Sequence, residues 1–312
     1  MAVRPVELDF GRDDPVFTRL GKEVREMTIV GKISEIWRYP VKSMQGESLK
    51  QCTISSLGVL GDRGWALRDE KSGEIKGAKK FPTLMQVQAR YLTEPNSDEI
   101  IPADIVFPNG QKTSCDAPDI NEQLSDYLAA EVSLFPRFPA DDLEHYRRRI
   151  ALSEPELRSM LAREPDEQLP DLSIMPPELI AEITEFTSPR GTYFDAYPIH
   201  LLTTSWLAML SETNPNSRFE TVRFRPNFVI EGAPQGLAEL DWCGKRLKIG
   251  EAEFDCDAPT VRCGMTTRAT GDVPDDKKVL RTIVRESNQN VGAYAIVNKN
   301  GLVKLGDSVE LL

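Results

Sequence analysis

The sequence predicts an α+β protein dominated by small β-barrels or strongly bent sheets, with a helical insertion between two β-rich regions. Three observations predict it. Short β-like runs, separated by Pro, Gly and Asn, recur from residue 31 to about 135. The same character returns from Thr192 onward. Between the two, the chain is charged and punctuated by Pro155, Pro165, Pro170, Pro176, Pro177 and Pro189. The division that follows is a tail over 1–30, a first β-rich domain over 31–136, a helical insertion over 137–190 and a second β-rich domain over 191–312.

Residues 33–39 roughly alternate apolar and polar side chains and stop at Pro40, as a strand does. Residues 52–54 and 65–67 are short β-like runs. Ile105-Val106-Phe107 leads into Pro108-Asn109-Gly110, a strong hairpin turn. A helix is expected over 121–130, with Leu124, Tyr127 and Leu128 on one face and Asp119 as cap. In the insertion, helices are expected over 141–164 and 177–186, as a lid or as a solvated elaboration. Thr203-Thr204-Ser205 precedes a short helix at Trp206. Residues 246–255 read as a hairpin, and 275–287 as a capped helix with Val279, Leu280, Ile283 and Val284 apolar. Residues 295–305 read as a further hairpin turning at Asn300-Gly301.

Composition narrows the function. A 312-residue chain with 40% hydrophobic and 28% charged residues has material for two lobes with real cores. A net charge of -11 argues against nucleic acid or an anionic membrane as partner, since both are polyanions. No stretch is apolar enough to cross a bilayer, and the first thirty residues lack the apolar middle of a secretion signal. A cytoplasmic protein is expected. Five cysteines, Cys52, Cys115, Cys243, Cys256 and Cys263, include no C-x-x-C pair. That argues against a disulfide framework and a four-thiolate zinc site. With only His145 and His200, there is little material for a His-rich metal site or a Ser-His-Asp triad.

Four cations stand beside turn residues, Pro or apolar neighbours: Lys42, Arg63, Arg225 and Arg262. Converging Arg and Lys with hydroxyls make an anion pocket. Thr203, Thr204 and Ser205 at a helix start could add to it, although the same hydroxyls also serve as ordinary N-caps. Cys263 directly follows Arg262, and a cation beside a thiol favours the thiolate, a soft ligand and nucleophile. A small buried hydrophobe is the other reading of Cys263, and the reading given to the remaining four cysteines.

Several motifs then carry a resemblance. Tyr39-Pro40-Val41-Lys42-Ser43-Met44-Gln45-Gly46 and Gly61-Asp62-Arg63-Gly64-Trp65 resemble the N-terminal β-barrel domain that accompanies MOSC (molybdenum cofactor sulfurase C-terminal) domains. Phe224-Arg225-Pro226-Asn227, Arg262-Cys263 with Thr266-Thr267, and the closing Gly292-Ala293-Tyr294-Ala295 to Asp307 resemble the MOSC domain itself. The chain looks like the mitochondrial amidoxime-reducing component and its bacterial counterparts. The resemblance implies a β-barrel-rich MOSC fold over 191–312 and a molybdenum cofactor (Mo-molybdopterin), with pyridoxal phosphate not expected. It implies Cys263 as the metal's protein ligand. It assigns cofactor contacts to Lys42, Ser43, Arg63, Thr203, Thr204, Ser205, Arg225, Asn227 and Arg262.

The implied activity is reduction of N-hydroxylated or N-oxide-like small molecules by oxygen removal. Two alternatives stand beside it: a sulfur-transfer protein carrying a persulfide on Cys263, and a non-catalytic cofactor carrier. Many relatives continue Thr-Thr-Val-Asp after the Cys motif, whereas Arg268-Ala269 follows here. Some bacterial relatives carry a ferredoxin domain. No cysteine cluster for one is present, so electrons are expected from a separate ferredoxin-, flavodoxin- or cytochrome-type protein.

Overall fold

A computed structural model describes residues 27–97, 99–150, 153–236 and 238–312. The expected tail lies outside the described residues up to residue 26, and residues 28–30 already belong to the strand Thr28–Arg38. That strand, which the sequence division gives mostly to the first domain, closes the barrel of the second. Around the wall the order is Thr28–Arg38, Phe228–Glu231, Ile199–Thr203, Asn290–Lys299, Ala252–Val261, Arg246–Ile249 and Ser308–Leu311, which pairs back onto Thr28–Arg38. All neighbours are antiparallel except Ile199–Thr203 with Phe228–Glu231. A parallel pair needs a crossover, and the helix Thr204–Thr213 supplies it.

Pattern explains the barrel. Along Ala252–Val261, burial alternates residue by residue. Ala252, Phe254 and Cys256 point inward and pack with Ile36, Phe228 and Leu247. Each large apolar side chain buried there stabilises the fold by roughly 1.5–3 kcal/mol.

The first lobe carries two three-stranded sheets, Val132–Pro136 with Trp65–Asp69 and Glu74–Lys76, and Gln88–Arg90 with Asp104–Val106 and Lys112–Ser114. With the helix Ile120–Leu128 they enclose a core that includes Leu67, Leu84, Ile105 and Leu124. Asp119 precedes this helix but its side chain makes no capping bond, contrary to expectation.

The expected hairpin over 295–305 does not form. Gly301–Lys304 leaves the barrel and pairs with Gln51–Ser55, Leu302 opposite Thr53. From Ile296 to Lys299 one edge of Asn290–Lys299 is taken by Ala252–Val261, and the returning chain pairs with Gln51–Ser55 rather than with the other edge. Val303 instead buries itself beside Cys52 and Ile54. The two lobes therefore interlock twice, through Thr28–Arg38 and through Gly301–Lys304.

In the insertion, the helix expected over 141–164 is two short ones, Leu143–Tyr146 and Glu154–Leu161. Arg147 pairs as an isolated bridge with Phe186, and a new helix starts at the Ser153 capping box with Pro155 in its first turn. Pro177–Glu185 is helical as expected. No helix among the described residues is long and apolar enough to cross a membrane.

Candidate functional site

The site lies at one end of the barrel, where strand ends meet loops of the first lobe. Lys42, Ser43, Arg63, Arg225, Asn227, Arg262 and Cys263 all line two adjoining hollows there. Asp195 and Met265 border both. The inner hollow contains Cys263 and the arginines; the outer is a wider space of about 400 Å³.

Cys263 follows the strand Ala252–Val261 and opens the 3-10 turn Gly264–Thr267. It is half-buried and free of any disulfide. Its carbonyl accepts the Thr266 N–H at 3.2 Å and hydroxyl at 3.0 Å. The turn is held from behind by Arg223, a buried residue that sequence reasoning missed. Its guanidinium donates to the carbonyls of Arg218, Thr266, Arg268 and Pro274 at 2.6–3.2 Å. The signal was present, since Arg223 is the first basic residue of Arg223-Phe224-Arg225.

Arg262 is buried, and it lines the same inner hollow as Cys263. Its Nη2 donates to the Phe224 carbonyl at 2.6 Å and its Nη1 lies 3.3 Å from His200 Nε2. Its Nε is buried with no partner. His200 is buried, and burial together with the Arg262 charge holds its imidazole well below the ordinary range. It is therefore neutral at pH 7, which leaves Nε2 free to accept from Arg262. Gly292, at φ +88°, backs this contact. A Cβ there would sit 2.4 Å from His200 Nε2.

Arg63 and Arg225 both lie against the Tyr39 ring, 4.8 and 4.2 Å from its centroid. Arg225 Nη1 donates to the Met44 carbonyl at 2.6 Å. Burial, with Arg63 close by, lowers the Arg225 guanidinium to about 10. Ser43 and Arg63 have φ of 70° and 50° without ending a helix. Left-handed backbone at non-glycine residues costs of order 1 kcal/mol each and persists where surrounding structure enforces it.

Asp62 is the hub beneath these cations. It pairs with Arg63 and accepts from the Tyr39 N–H at 2.7 Å and from Asn227 Nδ2 at 2.9 Å. Asn227 is buried, and its Oδ1 takes the His200 N–H at 3.1 Å. Its amide is thus spent on holding the strands together. Ser43 Oγ accepts the Ala78 N–H at 2.9 Å, and Gly77 leaves it room.

Lys42 is also committed. Its ammonium donates to the carbonyls of Tyr193 at 2.8 Å and Phe194 at 3.1 Å, to Asp195 at 2.9 Å and to Ser188 Oγ at 3.3 Å. Burial pulls the ammonium below its ordinary value. Burial would raise the Asp195 carboxyl, but Lys42, Lys79 and Arg63 hold it well below the carboxylate range. Asp195 and Tyr197 line the cleft and were missed in the sequence. Tyr197 stacks on Tyr294 with centroids 4.9 Å apart.

Thr203, Thr204 and Ser205 are not brought to this cleft. Thr203 sits three residues along its strand from His200, about 10 Å away. Its hydroxyl donates to Glu239 at 2.8 Å and caps the helix by accepting the Trp206 N–H at 3.3 Å. Ser205 donates to Thr203 Oγ1 at 3.2 Å. These helix-start residues line neither hollow, and Thr203 serves as the helix cap.

A barrel end that gathers one free thiol and four guanidiniums defines a β-barrel protein with a cysteine in a cationic cleft. Residues 30–131 match the MOSC N-terminal beta barrel domain, and residues 189–310 match the MOSC domain. The chain therefore carries both domains. It is 27% identical to mitochondrial amidoxime reducing component 2 of Bos taurus, over 91% of this chain and 84% of that protein. It is 27% identical to mitochondrial amidoxime-reducing component 1 of Homo sapiens, covering 91% and 83%. To the molybdenum cofactor sulfurase of Oryza sativa subsp. japonica it is 25% identical, over 78% of this chain and 29% of that protein.

Proposed function

We propose that the protein is a molybdenum-cofactor-dependent oxidoreductase that removes oxygen from N-hydroxylated or N-oxide-like substrates, with Cys263 as the protein's ligand to the metal. One observation carries this reading. A half-buried thiol stands in a cleft where Arg63, Arg225 and Arg262 converge, and Arg262 Nε is buried there without a partner. Such a donor set fits an anionic ligand that brings a thiolate-seeking metal. Among the described residues, no three His, Cys, Asp or Glu side chains gather as a metal site. A metal at Cys263 would therefore draw its other ligands from a non-protein group, as a pterin dithiolene provides. The likeness to amidoxime-reducing components supports the same assignment.

When bound, this cofactor supplies the two-electron redox chemistry. The chain's own work is binding and orientation. Arg262 would give its spare Nε–H to the ligand, and Arg63 and Arg225 would neutralise its negative charge. Arg223 fixes the turn that carries Cys263. An amidoxime plus two electrons and two protons yields an amidine and water, with the electrons from a separate ferredoxin-, flavodoxin- or cytochrome-type donor. The cytoplasm is the compartment proposed.

The test is elemental analysis of freshly purified protein beside Cys263→Ser, with dye-driven reduction of benzamidoxime. Molybdenum and turnover in the parent, both lost in the variant, are expected. A metal-free parent that gains one sulfur in mass on Cys263 from a sulfur donor would replace this reading with sulfur transfer. The similarity to a molybdenum cofactor sulfurase favours that rival. Molybdenum without turnover would mark a carrier.

A further inference from the structure

The outer hollow of the cleft has a feature that the cofactor contacts proposed above, Arg63, Arg225, Arg262 and Cys263, do not use. In a chain of net charge -11, its wall carries six cations, Lys42, Lys76, Lys79, Lys80, Arg148 and Arg268, against two carboxylates, Glu156 and Asp195. Most of these charges are already matched. Lys42 pairs with Asp195, Lys76 with Glu74, and Lys80 with Asp69. Arg148 donates to the carbonyls of Ile183, Thr184 and Phe186 at 3.0–3.2 Å. Glu156 is spent on the Ser153 capping box. The side chains of Lys79 and Arg268 remain, both exposed, with no hydrogen-bonded or ion-pair partner among the described residues.

Between them the wall is apolar. Ile75, Ile150, Met160 and Met265 line it, and Ile150 leaves 55% of its surface exposed. Met265 and Gly264 follow Cys263 directly, so the hollow opens beside the thiol. Its volume, about 400 Å³, is that of a small-molecule site.

From this we infer that the substrate is an anion: a compact apolar body bearing its N–O group toward Cys263 and a carboxylate, or an equivalent oxyanion, toward Arg268 and Lys79. The inference rests on the reductase reading above and adds the substrate's chemical class. A planar guanidinium takes a carboxylate in bidentate fashion, with the ammonium as second charge. The apolar wall accepts the body of the molecule.

The probes are 4-carboxybenzamidoxime and neutral benzamidoxime, measured with reduced dye and by calorimetric binding to the full chain. At low ionic strength the parent protein should favour the carboxylated probe. In Arg268→Ala and in Lys79→Ala the ratio of kcat/KM, carboxylated over neutral, should fall about tenfold, the size of one charge-assisted contact. The dissociation constant of the carboxylated probe should rise by the same factor. Added salt should erode the preference in the parent. An unchanged ratio in both variants would overturn the inference. So would a loss of molybdenum and pterin from them, because the two cations would then be holding a cofactor phosphate. Tight, Arg268-dependent binding of the carboxylated probe with no reduction of either probe would sink the reductase reading and leave the anion site standing.

Discussion

Replacing Glu239 by Gln should raise the protein's stability at alkaline pH by about 2 kcal/mol and lower it at acid pH by about 1 kcal/mol. Glu239 is fully buried, and its carboxyl accepts from its own backbone N–H and from Thr203, through the backbone N–H at 3.2 Å and the hydroxyl at 2.8 Å. Burial pushes it up to about 7 from an ordinary 4.5. Below pH 4.5 the folded and unfolded chains both carry the proton, and the residue's contribution is fully present. As the pH rises from 4.5 to 7 the unfolded chain ionises while the fold does not. Stability is then lost at about 1.4 kcal/mol per pH unit, levelling off near a total of 3 kcal/mol once the folded carboxyl also ionises. Gln keeps an oxygen for the Thr203 N–H and removes the titration. The Thr203 hydroxyl must reorient, at a cost of roughly 1 kcal/mol, but that cost does not vary with pH. Urea unfolding of parent and variant at about pH 5 and pH 8.5 reads the difference directly. Parallel stability curves would refute the reasoning, because only a carboxyl that keeps its proton in the fold makes them diverge.

His200 bends the curve the other way. It is held uncharged in the fold but takes a proton in the unfolded chain below pH 6.5, so stability should fall with falling pH there. His200→Gln should remove up to about 1.4 kcal/mol per pH unit of that slope, and an unaltered slope in acid urea titrations would count against it. Arg225→Ala should lower the molybdenum retained on purification by elemental analysis, since it takes a guanidinium from the inner cleft. Lys42→Ala should instead cost about 2 kcal/mol of unfolding free energy, because the lost ammonium orders the carbonyls at Tyr193 and Phe194. Equal molybdenum loss with no stability loss in Lys42→Ala would restore the cofactor contact that the resemblance implies for it.

The contrast between those two cations marks what a sequence carries. The hairpin expected over 246–255 was legible because apolar and polar residues alternate there, and burial alternates along Arg246–Ile249 and Ala252–Val261, which pair. Cys263, Arg63, Arg225 and Arg262 were legible as oddities, cations and a thiol set among Pro, Gly and apolar neighbours. Partner choice was not. Lys42 looked like a free charge until Asp195 and three further acceptors arrived from about 150 residues away. Thr203 looked like a phosphate cradle, but which end of a strand faces the cleft is a property of the closed barrel. The same holds for Gly301–Lys304, whose turn signal was real and whose pairing partner lay 250 residues upstream.

Those long-range pairings bear on how the site forms. The cleft takes Tyr39 and Arg63 from the first lobe and Arg225, Arg262 and Cys263 from the barrel. The strand Thr28–Arg38 cannot join its barrel neighbours until Phe228–Glu231 and Ser308–Leu311 exist, so the wall closes only when the last strand is in place. Contacts this distant in sequence form late. Before closure Arg63 and Arg225 have no shared Tyr39 platform, and Arg262 has neither His200 nor Phe224 to hold it. The anion pocket is therefore a product of the finished fold. A cofactor that needs all three guanidiniums would enter a closed barrel through the cleft mouth, and its binding energy would then add to the stability of the interlocked state.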